Sequence, residues 1–371
     1  FRSMTDSLPI VALPARQEAR DMLRVLKEPK FAETVSLAGW DKILRAARAT
    51  ELLGILGQRL AASDSLNSVP TVVRNHLSGA RVVAEHRKRL GLTVVRSLGR
   101  LLGDRFGGQL VLLKGLAYVA QNLRMSSGRM FDDVDIMVPR SQLDALEKTL
   151  LEDGWVTEKP DPYDQRYYRE WSHELPPMRN PRFAMQLDVH HTIIPVTSRV
   201  KPDVDLLFVN AASTEYGPWR VLCPEDQVLH ACAHLFLDSD CAGKLRELAD
   251  IDGMLREFGP ATNFWHALID RATLHHLHRY LWFAVTFCRS WLDTPIPSES
   301  LMRIARFGPS MPLGYVTVQA MRRALPPPDL DLPAAGQRTL SHAFLATRAA
   351  LLRMPLPLLA YHTAHKLLTR N

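Results

Sequence analysis

The apolar positions of this chain change their spacing along its length. From residue 16 to 62 they return at helical intervals, as Met22-Leu23, Val25-Leu26, Ile43-Leu44, Ala47, Leu52-Leu53 and Leu56. A return every three or four residues buries one face of a helix. Residues 72–102 continue the pattern, with a basic face at His86-Arg87-Lys88-Arg89. Gly54, Gly57 and the polar stretch 63–70 separate these helices. The first hundred residues therefore read as all-helical.

The spacing then shortens. Residues 109–113 are a compact apolar strand candidate after the Gly107-Gly108 turn, and Gly115 permits a tight passage into a helix over 116–123. Ser126-Ser127-Gly128 is a loop, and 134–138 is a strand stopped by Pro139. Ser141-Gln142-Leu143-Asp144 can cap a helix running to residue 153. Gly154 ends it, and Trp155-Val156 opens another strand. Residues 166–171 and 183–194 read as two further strands joined by a proline-rich turn. From Pro224 the helical spacing returns, over 225–237, 243–258, 263–292 and 298–306. Pro326-Pro327-Pro328 reads as a linker or rigid turn, and 341–352 and 358–368 as final amphipathic segments. The expected architecture is α+β: a small mixed β-sheet core (106–222) between an N-terminal helical region (4–105) and a C-terminal helical domain (223–371).

Composition narrows this only modestly. With 371 residues, 46% hydrophobic and 23% charged, the chain is ordinary for a globular protein. Phe1-Arg2-Ser3, ahead of Met4, read as an appended scar outside the fold. Asp6, Pro9 and Pro14 interrupt any secretory core after Met4, and no apolar run approaches the roughly 20 residues of a transmembrane helix. Four cysteines in such a length do not make a disulfide framework, so the reducing cytoplasm is the expected compartment. The net charge of +7 is unevenly placed: from Leu301 onward nine Lys/Arg face two Asp, and the preceding 300 residues balance at 37 against 37. An anionic partner could use that C-terminal excess, or it is the solvated surface of helices.

The chemistry concentrates between residues 110 and 190. Asp133 and Asp135 are two apart at the head of an apolar strand, so their side chains point to one side. In Gln186-Leu187-Asp188-Val189-His190, Asp188 and His190 share a face while Leu187 and Val189 turn to the core. Three carboxylates of this kind can hold two Mg²⁺ ions roughly 3.5–4 Å apart that clamp the oxygens of a phosphoryl transfer. Asp188 also suits a general base. Lys114 sits at the mouth of the first strand, where it could neutralise phosphate oxygens beside the amides of the helix that follows Gly115. Arg129 could reach the same phosphates, or serve in a salt bridge. Asp132 points to the other face and reads as a turn residue.

This arrangement resembles the nucleotidyltransferase superfamily that shares its fold with DNA polymerase beta. It is most similar to a group of uncharacterised bacterial nucleotidyltransferases with a leucine-lysine-glycine turn followed by an arginine and Asp-Ile/Val-Asp. Here those motifs are Leu113-Lys114-Gly115 and Arg129 with Asp133-Val134-Asp135-Ile136. The resemblance continues at Leu187-Asp188-Val189-His190, at Cys223-Pro224-Glu225-Asp226 with His230 and His234, and at Leu245-Arg246 with Asp250-Ile251, over roughly 108–258. It implies Mg²⁺-dependent (or Mn²⁺-dependent) transfer from a nucleoside triphosphate, ATP being the expected donor. Asp133, Asp135 and Asp188 would be the catalytic metal ligands, with Lys114, Gly115, Arg129 and His190 on the nucleotide. Lys114-Gly115 replaces the Gly-Ser turn of better-known members, whose serine helps bind phosphate.

Other motifs stay open. His230 and His234 lie on one helical face and could imitate a zinc site with Cys241 or Asp238, but HExxH is absent and packing or pocket-shaping fits them better. Lys244, Arg246 and Asp250 either line the same cleft or form structural ion pairs. His275, His276 and His278 read as helix surface. Tyr163, Tyr167, Tyr168 and Trp171 could stack a base or acceptor ring, or simply pack. The acceptor is open between a small molecule, a peptide or protein, and an RNA end. The rival reading is a non-catalytic nucleotide- or partner-binding protein on the same fold. A weaker one is membrane-surface contact through 351–368.

Overall fold

A computed structural model describes residues 8–237, 240–328, 331 and 339–369. Phe1-Arg2-Ser3, Asp238 and two of the C-terminal cations, Arg338 and Arg370, lie outside the described residues. The N-terminal third is helical, as its spacing predicts: α1 (Gln17–Lys27), α2 (Leu37–Ala49), α3 (Leu53–Ala62) and the 36-residue α4 (Thr71–Phe106). Ser36 caps α2 by accepting from the Gly39 amide, while Pro70 precedes α4 and Gly107 follows it. α4 carries the sheet on its buried face. At Gly91 a side chain would collide with Leu116 and at Gly99 with Trp219, whose indole Nε1 donates to the Val95 carbonyl at 2.9 Å.

The middle of the chain contributes β1 (Val111–Leu112), α5 (Lys114–Ala120), β2 (Asp133–Met137), α6 (Leu143–Glu152), β3 (Val156–Thr157), α7 (Pro162–Arg166), β4 (Met178–Arg179), β5 (Gln186–His190), α8 (Val204–Val209), β6 (Ala212–Ser213) and β7 (Arg220–Val221). These form one mixed sheet in the order β3-β4-β5-β2-β1-β7-β6. β2 and β5 run parallel at its centre, β1 is antiparallel to β2, and β7 is parallel to β1. Val134, Ile136, Leu187 and Val189 are buried on one face. The strict alternation of both strands sends their polar residues to the other.

Two expectations from the spacing are corrected. Residues 166–171 are not a strand: α7 runs into a π-helical turn over Tyr167–Trp171. Asp161 starts it by accepting from the amides of Tyr163 and Asp164, with Pro162 in the first turn, and the Arg166–Glu170 pair at 2.9 Å supports it. The aromatic residues at 163, 167 and 171 recur every four positions, a helical stripe. The single helix read over 263–292 is two, broken at His276, whose φ is +57°. The short strands β4, β6 and β7 also had no signal in the alternation.

The C-terminal helices are α9 (Pro224–Phe236), α10 (Leu245–Phe258), α11 (Phe264–Leu274), α12 (His278–Leu292), α13 (Ser298–Ala305), α14 (Leu313–Ala324), α15 (Leu340–Arg353) and α16 (Leu356–Leu368). α9 is buried among α10, α11 and α12. Its N-terminal Asp226 is wholly buried, paired with Arg271 and 3.3 Å from His275. His275 is therefore core, not surface as its sequence context implied. It also accepts from the Asp203 amide at 3.1 Å. Among the described residues no helix is long and apolar enough to cross a membrane.

Candidate active site

The register of β2 against β5 sets Asp135 opposite Asp188 and Asp133 opposite Gln186. One ligand oxygen from each of Asp133, Asp135 and Asp188 lies within 4.8 Å of the others. The fifty-odd residues between the two motifs thus close into one cluster, as the shared strand faces require. Three oxygen-donating carboxylates at this spacing match the donor set of a hard divalent cation such as Mg²⁺ or Mn²⁺.

Their electrostatics point the same way. Burial, with the Asp135 and Asp133 charges behind it, pushes the Asp188 carboxyl up to about 7, against an accepted bond from Gln186 at 2.9 Å. The Asp135 charge and burial also raise Asp133. Asp135 moves the other way. It is buried, yet Lys114 Nζ at 2.8 Å and His190 Nε2 at 2.9 Å hold its carboxylate ionised, well below its ordinary range. Crowded carboxylates of this kind could be relieved either by sharing protons or by a bound cation.

Lys114 is the first residue of α5, at the end of β1, where the Leu113 amide donates to the Asp135 carbonyl at 3.0 Å. The left-handed residue of this turn is Lys114 itself, with φ +46°. Gly115, expected to supply that freedom, matters for space instead: a Cβ there would run into Arg129 Nη1 and crowd Phe131. Arg129 is 7% exposed, and its Nε donates to Asp250 at 3.0 Å. Asp250 also accepts from Arg246 at 3.0 Å, so two guanidiniums, one buried and one half-buried, share one carboxylate. Lys114, Arg129, Arg246, His230, His234 and Tyr118 line a cavity of about 50 Å³ between α5, α9 and α10. Arg246 and Asp250 thus satisfy both readings, lining the cleft through an ion pair. Lys244 turns to Glu247 at 3.2 Å, as does His234 at 3.0 Å.

The zinc alternative at His230 and His234 gains no third ligand among the described residues: Cys241 donates to the Leu235 carbonyl at 3.3 Å. The aromatic cluster divides. Tyr163, Tyr167 and Trp171 pack against Tyr361, His362 and His365 of α16. Tyr168 faces the acids, and burial with the nearby Glu174 charge pushes its hydroxyl up to about 12. The residues that sequence reasoning missed are His173 and Glu174, which lie beside His190. Their signal was an adjacent His-Glu pair ahead of β5, in a stretch that reads as an ordinary turn.

The mixed sheet, the paired acidic strands and the lysine-led helix bring the three acids and the basic side chains of the motifs together. A family model described as uncharacterised nucleotidyltransferase matches residues 36–293, and the chain belongs to that family. The match runs from α2 to the end of α12, beyond the 108–258 span of the motifs on both sides. Membership carries a general role in nucleotidyl transfer. Comparisons with curated proteins and with solved structures return no match.

Proposed function

We propose that the protein transfers a nucleoside monophosphate from a nucleoside triphosphate, ATP being the expected donor, to a hydroxyl or phosphate acceptor, releasing pyrophosphate. The observation that carries this is the convergence of Asp133, Asp135 and Asp188 within 4.8 Å. Mg²⁺, or Mn²⁺ in its place, would be held by these carboxylates and supply Lewis-acid charge to the transferring group. Asp188, ionised beside the bound cation, would take the proton of the acceptor hydroxyl. Lys114, at the head of α5, leaves Asp135 to meet the phosphates, and Arg129 and Arg246 hold the cleft positive. Gly115 keeps that wall open for Arg129. His190 orients Asp135 from below. The acceptor is a small molecule, a peptide or protein, or an RNA end. Four free thiols fit action in the cytoplasm.

One observation favours the rival reading of a non-catalytic binder: both expected phosphate cations, Lys114 and Arg129, already carry carboxylate partners. Thermal melts with Mg²⁺ and each triphosphate decide between them. The enzyme reading expects Mg²⁺-dependent stabilisation that Asp133→Ala and Asp135→Ala abolish, and label transfer from one triphosphate into either total RNA or a small-molecule extract. Stabilisation without label transfer into any acceptor pool supports the binder. No stabilisation by any triphosphate removes the nucleotide reading altogether.

A further inference from the structure

Behind Asp135 lies a second group of metal-binding side chains. The backbone at His173–Glu174–Leu175 runs antiparallel to the end of β5: Glu174 bridges His190, the Leu175 amide donates to the Val189 carbonyl at 2.8 Å, and the His191 amide to the His173 carbonyl at 2.9 Å. This fixes one ligand atom each of His173, Glu174 and His190 within 4.8 Å of one another. Glu174 Oε2 is 3.5 Å from His190 Nε2 and 3.9 Å from His173 Nε2. Ligand atoms around a tetrahedral zinc with bonds of about 2.0–2.1 Å sit about 3.3–3.4 Å apart. Small side-chain rotations therefore bring the three to bonding positions.

A second observation points to a ligand here. His173 is 8% exposed, and its Nε2, the ring atom that faces Glu174 at 3.9 Å, makes no hydrogen bond among the described residues. A buried imidazole nitrogen aimed at a carboxylate without a bonded partner has room for a ligand between them. We propose that His173, Glu174 and His190 form a binding site for a borderline-soft divalent cation of the zinc or cobalt class, distinct from the carboxylate trio and adjacent to it through His190, whose Nε2 meets Asp135 when it carries no cation. Two imidazoles and one carboxylate with a fourth position open suit such ions, whereas Mg²⁺ prefers the all-oxygen trio. The partly exposed Glu174 carboxylate gives the cation a path from solvent.

The site has a consequence that rests on the nucleotidyl-transfer reading. A cation on His190 Nε2 displaces the hydrogen bond to Asp135 and leaves that carboxylate to Lys114 alone. Zinc-class ions then lower transfer in a way that excess Mg²⁺ does not reverse.

Co²⁺ absorption on the chelator-stripped full chain tests the binding itself, independently of any activity. In excess Mg²⁺, the wild type is expected to take up one equivalent of Co²⁺ with the intense visible bands of a four-coordinate ion, and Zn²⁺ to bleach them. His173→Gln and Glu174→Gln should each weaken Co²⁺ by about tenfold or more, as loss of a ligand does, while Asp133→Asn leaves it unchanged. Absence of the bands from wild type overturns the proposal, and so does their loss in Asp133→Asn with retention in both other variants. The wild-type spectrum stands even where a variant fails to fold. Failure of the nucleotide melts with intact Co²⁺ bands would remove the transferase reading alone.

Discussion

Asp188 holds a proton at a pH where a carboxyl in water has none. Its neighbours cause this: it is buried beside the ionised Asp135, with Asp133 close behind. The sign of the effect on stability follows. The folded group, at about 7, keeps its proton through a range in which the unfolded chain, at 3.8, has lost it. The unfolded state then binds fewer protons, so stability falls as pH rises from about 4 to about 7 and stays low above that. Asp188→Asn keeps the shape and an acceptor for Gln186 but removes the titration. At pH 8 without metal the variant should melt higher than wild type, by no more than about 4 kcal/mol. Mg²⁺ should raise the melting point of wild type and not of the variant, and transfer should drop by on the order of 10²–10⁴. A variant that melts lower, or that keeps the full Mg²⁺ response, would contradict the crowding described for this site. Much of this was readable in the sequence, because alternation on two apolar strands fixes which side chains share a face. The pairing of Arg129 with Asp250 was not, because it joins residues 121 apart and depends on how α10 docks. Nor was the left-handed turn at Lys114, since lysine gives no local signal for positive φ.

At the scale of elements, the segment from Pro162 to Trp171 and the helix α16 hold each other. α16 has no fully buried residue, and its ring contacts with the segment run through Tyr361, His362 and His365 against Tyr163, Tyr167 and Trp171. Tyr163 Oη and His362 Nδ1 are 2.7 Å apart. Burial, with Lys366 and Arg353 nearby, lowers the His362 pKa below its ordinary value. The folded ring therefore takes up a proton less readily than the unfolded one, and the contact weakens as pH falls below about 6.5. Hydrogen exchange in Leu356–Leu368, corrected for intrinsic rate, should accelerate between about pH 7.5 and pH 5.5. In His362→Gln it should be fast at both. Equal protection of the wild-type helix at the two pH values would show that Tyr163–His362 does not hold it. The misread strand at 166–171 has the same origin: aromatic content resembles a strand, and only the four-residue spacing reveals the helix that meets α16. The C-terminal cations are likewise partly committed inside the molecule. Arg348 donates to the Phe236 carbonyl at 2.7 Å, Arg322 to Leu13, and Arg303 pairs with Asp270 at 2.7 Å.

For the whole molecule, the decisive quantity is the size of the cleft. Lys114, Arg129 and Arg246 line a cavity of about 50 Å³. Sites that enclose small molecules run to several hundred Å³. On the proposed reading, a triphosphate that enters this cavity needs Lys114 to leave Asp135 and Arg129 to leave Asp250. Such binding would part α5 from the wall formed by α9 and α10. The family match extends across that seam, from α2 through the sheet to α12, so these helices belong to the matched region along with the sheet. Opening the seam costs the buried ion pair of Arg129 and Asp250 unless phosphate takes the carboxylate's place, and this exchange makes binding depend on charge as well as on shape. Mg²⁺ and triphosphate together should change hydrogen exchange in α5 and in α9–α10 at once, with neither alone having the full effect. Asp250→Asn, which frees both guanidiniums in advance, should bind triphosphate more tightly while melting lower. If exchange changes only near β2 and β5, the nucleotide lies outside this seam, and the cations of α5 and α10 serve the fold alone.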